Sequence, residues 1–289
     1  MTTARTHEML ESGSSRDTRR RVWDRFMRVT ALAATIAAIV PLIALIYFVT
    51  TRALPWLDAA LFVNNPLDKP SGISNAIFGS LQLTTAAILA VTPVGILAAI
   101  YLNEYASPRV VSWSELVIDV MLGIPSIVVG MFAFMVIVPQ LGVSAGSGVV
   151  AIGILMLPIV VRTTQEVFRL VPASVREASL ALGVPVWKTV IFVVCRTAFS
   201  GILTAVILAY SRGLGETAPL LLTVRGTFAQ NWLDFGTTMN AMPLTIYSYS
   251  GAADSRTIGQ AWAAALILMV MALVLNIIVR ARTVNSRVA

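Results

Sequence analysis

From Val120 to Val161 the chain runs 42 residues without one Asp, Glu, Lys or Arg. That run limits the possible folds more than any other feature, because a helix crosses the hydrocarbon of a bilayer with about 20 apolar residues. It is too long for one crossing, and Pro139, Gly142, Gly146 and Gly148 mark a turn inside it. Runs of single-crossing length recur on both sides. Spans are expected at about 29–50, 73–102, 117–138, 146–165, 193–224 and 257–279. The fold class implied is an all-α membrane protein with six transmembrane helices occupying residues 29–282. Composition agrees: 12% of residues are charged, against about a quarter in soluble domains, and the mean hydropathy is +0.82.

The net charge of +7 is spread as a bilayer would sort it, which argues against a nucleic-acid partner. Arg5, Arg16, Arg19, Arg20, Arg21, Arg25 and Arg28 all precede the first span. Cytoplasmic segments carry the excess of Lys and Arg, so residues 1–28 are expected to be a disordered cytoplasmic tail. With six crossings both termini are cytoplasmic, and 16 of the 21 basic residues then fall on the inner side. The first run, 29–50, exceeds the apolar stretch of a cleaved signal peptide and lacks a clear cleavage site.

Several chemistries are excluded. The single histidine, His7, lies in the polar tail, and the single cysteine, Cys195, permits neither an internal disulfide nor a thiolate metal site. No catalytic residue and no metal site are expected. A phosphate-cradling Walker loop needs Gly-Lys, whereas the two lysines, Lys69 and Lys188, follow Asp68 and Trp187. This chain is not expected to hydrolyse ATP or to bind a cofactor. A channel or exchanger with a midplane ion site would carry an inverted repeat, and none is visible.

Between the fourth and fifth spans lies "SVREASLALGVPVWK", residues 174–188. Ser174 followed three residues later by Glu177 forms a capping-box pattern. Gly183 suits a left-handed helix end and Pro185 a new start. The helix so bounded has about two turns, too few to stand alone in water. Val175, Ala178, Ser179 and Leu182 share one face, which needs a surface: either the protein's own helices or a groove on a cytoplasmic partner.

The fifth span carries an irregularity. Only 15 uncharged residues separate Arg196 from Arg212, about 22 Å of helix against a core of about 30 Å. Arg212 and Glu216, one helical turn apart, are the candidates for membrane depth. An ionisable residue there is costly and points to function. Self-neutralisation, snorkelling of Arg212 to the outer interface, and capture of an anion by the guanidinium fork are the three readings. Gly213, Gly215 and Pro219 would loosen the helix beside these charges or allow close packing. Gly123 and Pro125, with the adjacent Ser126, suggest a distorted third span that lines a pathway or is simply kinked in packing. Glu115 and Asp119 fit interfacial charges.

Glu177-Ala178-Ser179, three residues, then Gly183 resembles the EAA loop of ABC-transporter permeases, with Val193-Val194-Cys195-Arg196 in place of the usual I-x-L-P continuation. The strings "PVGILAAIYLNEYA" from Pro93, "GIPSIVVGMFAF" from Gly123, "LPIVVRTTQEVFRLVPASVREASLALG" from Leu157 and "RGLGETAPLLLT" from Arg212 resemble the PstA-type permease family of phosphate-specific ABC importers over residues 76–279. The resemblance implies a type I importer permease fold in a prokaryotic plasma membrane. It implies a homologous PstC-type permease, two PstB-type ATPases that use ATP and Mg, and an external phosphate-binding protein as partners, with lipid around the spans. It makes Glu177, Ala178, Ser179 and Gly183 the coupling element. The motif R-x-x-G-E-T-A-P makes Arg212, Glu216 and Thr217 the translocation element, while Gly123, Pro125 and Ser126 stay candidates for lining the pathway. The other oxyanions, molybdate and sulfate, define the alternative substrate. The segment 225–256, with Asn231, Trp232, Asn240, Tyr247 and Tyr249, is expected to face the binding protein or to anchor at the membrane interface.

Overall fold

The computed structural model describes residues 2–229 and 232–285, with side chains over 20–229 and 232–278. Every regular element is a helix, and no strand occurs among the described residues. The chain divides into two units, residues 1–51 and 52–289. The first is helix α1 (Thr2–Ala53) up to its last two residues. The tail expected to be irregular is therefore helical from Thr2 on. Once the apolar run has formed a helix, the unfavourable nucleation step is already made, and each preceding residue adds one hydrogen bond.

In the second unit, α2 (Ala59–Val63) is capped by Asp58, whose carboxylate accepts from the Leu61 amide at 2.8 Å. Helix α3 (Ser74–Ile100) continues through a wide turn at Tyr101–Tyr105. Then follow α4 (Pro108–Gly123), α5 (Ser126–Val136), α6 (Val138–Leu141) and α7 (Ala145–Arg169). Helices α8 (Ala173–Ala181) and α9 (Val186–Lys188) lead through a second wide turn, Thr189–Val194, into α10 (Cys195–Thr197) and α11 (Phe199–Leu214). Helices α12 (Ala218–Thr223), α13 (Met242–Tyr249) and α14 (Ser255–Asn285) complete the described residues.

Among the described residues, four helices are long and apolar enough to cross a membrane: Arg20–Trp56, Ser74–Tyr105, Ala145–Arg169 and Ser255–Ile278. The expected third and fifth spans are not straight. Pro108–Gly123 and Ser126–Val136 meet at 100°, and Val186–Thr197 and Phe199–Leu214 meet at 69°, so the total is six when each bent pair counts as one. The sharper bend follows from Pro125. A proline disfavours the α conformation in the residue before it, and Ile124 is extended, with φ −69° and ψ 128°. The milder bend falls at Ala198, between α10 and α11, where φ is −83° and ψ −3°. The turn expected near residue 142 is present: Gly142 has φ +73° and Ser144 caps α7 by accepting from the Ser147 amide.

Lipid tails are as apolar as leucine, so close packing of small residues matters more than apolar burial between membrane helices. Helices α3 and α7 form the central pair. A Cβ on Gly95 would lie 2.7 Å from Val160 Cγ1, so the two backbones approach too closely for any side chain there. Leu83 and Ile88 of α3, Ile152, Met156 and Val160 of α7, Ala209 of α11 and Leu220 of α12 share one buried cluster. Helix α5 lies against α12, where a Cβ on Gly130 would come within 2.9 Å of Pro219 Cα.

Candidate functional site

Arg212 stands in the last turn of α11, which ends at Leu214, and Glu216 lies in the gap before α12. The expected single helix over 193–224 thus breaks beside the charges. Pro219 does not interrupt a helix, because it occupies the first turn of α12, where a proline is tolerated. Thr217 is the residue before α12 and its side chain makes no capping bond. Of the two glycines, Gly213 serves packing, since a Cβ would meet Met156 Sδ at 2.7 Å, whereas Gly215 is open.

The pair is asymmetric. Arg212 Nη1 lies 2.8 Å from Glu216 Oε1, with the arginine side chain 59% exposed and the glutamate side chain 4% exposed. Glu216 Oε1 is buried and accepts no aligned hydrogen bond. Among the described residues Arg212 contacts only this carboxylate, and more than half of its side chain is exposed. Residues Gly123 and Pro125 are exposed and Ser126 is half-buried. They form the 100° corner between α4 and α5, and nothing lies within 4 Å of a Cβ on Gly123. The corner is therefore not a device for tight packing. It directs α5 onto α12, directly after Thr217.

The second candidate element is α8. The capping box expected from Ser174 and Glu177 does not form: Pro172 is the N-cap and no side chain caps the helix. Proline fixes the entry instead, with φ −58° and ψ 140°. The expected stop is present. Gly183 has φ +78°, its amide donates to Leu180 O at 2.9 Å, and the Val184 amide donates to Ser179 O at 3.3 Å. This is the two-bond Schellman ending. Of the four residues expected to share a face, Ser179 is buried and Val175 half-buried, whereas Ala178 and Leu182 are exposed, as is Glu177. Leu182 is 84% exposed and Trp187 53%.

What holds α8 inward is polar. Arg176 Nη2 reaches Glu104 Oε1 at 3.0 Å and Phe168 O at 3.0 Å, and Nη1 donates to Val171 O at 2.8 Å. The hydroxyls of Ser179 and Thr189 share a buried hydrogen bond of 2.9 Å. Neither Arg176 nor Glu104 stands out in the sequence reading. The available signal was a lone carboxylate closing an apolar run at "AAIYLNEY".

Glu115 and Asp119 of α4 pair with α7: Arg162 lies 3.8 Å from Glu115 and 3.9 Å from Asp119, and Arg169 also contacts Glu115. In the segment 225–256, Asn240 is buried and donates to Thr245 Oγ1 at 3.0 Å, so it is not a surface residue, and Asn231 lies outside the described residues. Trp232 is exposed and its ring lies 5.0 Å from that of Phe78. Arg225, Thr227, Asn240, Tyr247 and Ser248 help line a cavity of about 470 Å³. Nearby, hydrogen bonds from the side chain and backbone of Thr257 hold the Asp254 carboxyl below the usual range.

Residues 91–283 match the family described as binding-protein-dependent transport system inner membrane component. The chain is 35% identical over 281 residues to the phosphate transport system permease protein PstA of Yersinia pestis, with 94% of each chain covered. It is 36% identical to the protein of that name from Mycobacterium leprae (strain TN), with 90% of this chain and 88% of the relative covered. Similarity to whole relatives thus extends beyond residues 76–279. Among solved structures, the inward-facing MetNI methionine ABC transporter superposes with a TM-score of 0.57 at 14% identity, covering 73% of this chain and 95% of that one. An amino acid ABC transporter gives 0.52 at 19% identity, with 74% and 92% covered. These two share the fold. A multi-pass all-helical membrane chain, non-catalytic and built to work with other transporter subunits, it belongs to the binding-protein-dependent transport system inner membrane component family, alongside the PstA permeases.

Proposed function

We propose that this chain is the membrane permease subunit of an ATP-driven importer of inorganic phosphate. The observation that carries the reading is Arg212, an exposed guanidinium held at a helix break by a buried carboxylate. A planar fork of donors matches the tetrahedral oxygens of phosphate, and a fixed cation offsets the loss of water around an anion at membrane depth. The name of the relatives points the same way.

In this reading a homologous permease of the PstC type completes the pathway against the surface that exposes Arg212, Gly123 and Pro125, with Ser126 half-buried beside them. Thr217 offers a hydroxyl beside the charges. Two ATPases of the PstB type bind the cytoplasmic face at α8, where Glu177, Ala178 and the apolar Leu182 and Trp187 point outward, and they alone use ATP and Mg. Both termini are cytoplasmic in a prokaryotic plasma membrane, and an external phosphate-binding protein delivers substrate to the opposite face, where segment 225–256 lies. The competing oxyanions are molybdate and sulfate.

The test is purification through a tag on this chain, followed by reconstitution into vesicles. A second permease and an ATPase should co-purify, and the vesicles should accumulate labelled phosphate with ATP and binding protein. Accumulation of molybdate or sulfate in its place would transfer the assignment to the competing substrate. A chain that purifies alone and conducts ions without ATP would overturn the reading.

A further inference from the structure

Helix α8 has nine residues, Ala173–Ala181, too few to persist unsupported in water. Its attachment to the rest of the protein decides what a force on its outer face would move. Arg176 is central to that attachment. Its guanidinium donates to Phe168 O and Val171 O at the end of α7 and to Glu104 Oε1 beyond α3, 72 residues earlier in the chain. The two carbonyl contacts cap α7 in the manner of a basic residue at a helix C-terminus. They join α8 to its own predecessor in sequence. The contact with Glu104 is of another kind, because it crosses to a separate helix.

Glu104 is placed where a carboxylate is unfavourable. It stands in the last turn of the helical run Ser74–Tyr105, at the negative end of the helix dipole, and its side chain is 11% exposed. Arg176 offsets both penalties. Stability alone gives little reason for such a pair, because well-packed apolar residues in place of a buried ion pair are often as stable or more so. A charge-assisted hydrogen bond does supply what apolar contact lacks, a fixed direction and register. Asn103 Nδ2 donates to the same Glu104 oxygen at 2.6 Å, which holds the carboxylate toward the arginine. Further along α8, Ser179 bonds Thr189 in the wide turn that begins the fifth bent span. Between these inward-facing residues, Glu177 and Ala178 face outward.

We infer that the Arg176–Glu104 pair is a rigid tether that carries movement of α8 into α3, so that these two positioning residues set how tightly ATP hydrolysis is coupled to transport. The inference rests on α8 being the element that meets the ATPase. Because α3 and α7 share their buried cluster with α11 and α12, displacement of the tether reaches the helices that flank Arg212. Without it, α8 reaches α3 only through α7 and the fifth span, and hydrolysis proceeds while the Tyr101–Tyr105 end of the helical run lags.

The test uses the whole reconstituted transporter with external binding protein, and it measures phosphate taken up and ATP hydrolysed in the same vesicles. Glu104→Gln keeps the side-chain shape but removes the charge. ATP hydrolysed per phosphate should rise about tenfold, equivalent to about 1.4 kcal/mol of lost coupling. Glu104→Cys with Arg176→Cys, in a Cys195→Ala background, should be equally uncoupled until a short bifunctional thiol reagent links the two positions and restores the wild-type ratio. An unchanged ratio in Glu104→Gln overturns the tether, and so does a parallel fall of uptake and hydrolysis, which marks a merely structural pair. Failure of the unmodified transporter to move phosphate would overturn the transport reading itself, and the tether with it.

Discussion

Two arginine–glutamate pairs stand at opposite extremes of this molecule. At α8, Arg176 is 23% exposed, makes three hydrogen bonds, and meets a glutamate from a distant helix. At the end of α11, Arg212 is 59% exposed and touches a glutamate four residues on, with only that partner among the described residues. A guanidinium has five donors. When two protein carbonyls and a carboxylate take three of them, as at Arg176, the group is a structural joint. When one contact anchors it and the rest stay open, it is available to an anion. On the proposed function the same pair of residue types does different work, and the exposure of the arginine is what distinguishes the two.

The contrast makes ordered predictions. Arg212→Gln should have the largest effect: phosphate uptake falls about 100-fold, corresponding to about 2.7 kcal/mol, while the purified complex keeps its subunit composition. Normal uptake would return Arg212 to the snorkelling role considered from sequence. Gly183→Val acts at the other region. A β-branched residue at φ +78° is strained by about 2 kcal/mol, so α8 should lose its ending and the ATPase should dissociate during purification, seen as loss of the ATPase band. Retention of that band at wild-type level would separate α8 from docking. Glu216→Gln should be the mildest, about a tenfold loss of uptake, because the anchor is weakened but the cation remains. A loss as great as that of Arg212→Gln would mean that the carboxylate acts on the substrate directly.

Much of this was legible in residue order because the membrane enforces simple rules. The runs at 73–102, 146–165 and 257–279 lie within or almost within the helical segments Ser74–Tyr105, Ala145–Arg169 and Ser255–Asn285, since length and lack of charge suffice to define a crossing. The one-turn spacing of Arg212 and Glu216 made their contact readable as well. Proline chemistry was read in part. Pro125 marked a distortion, but a bend of 100° depends on where α5 finds its partner on α12. Near α8 the local pattern misled: Ser174 and Glu177 matched a capping box, yet Pro172 already fixes the helix entry. The Arg176–Glu104 pair was illegible, because 72 residues of chain separate its members and only the packing of α3 against α7 brings them together.

The most direct measurement of the difference between the two arginines is binding of labelled inorganic phosphate to the assembled, detergent-purified transporter, with no ATP present. Arg212→Gln and Glu104→Gln should be compared with the unmodified complex in one experiment. The expected result is loss of phosphate binding in Arg212→Gln and full retention in Glu104→Gln, because only the first removes an open cation. Equal binding by all three complexes, or equal loss in both variants, would contradict the assignment of the exposed arginine to the substrate.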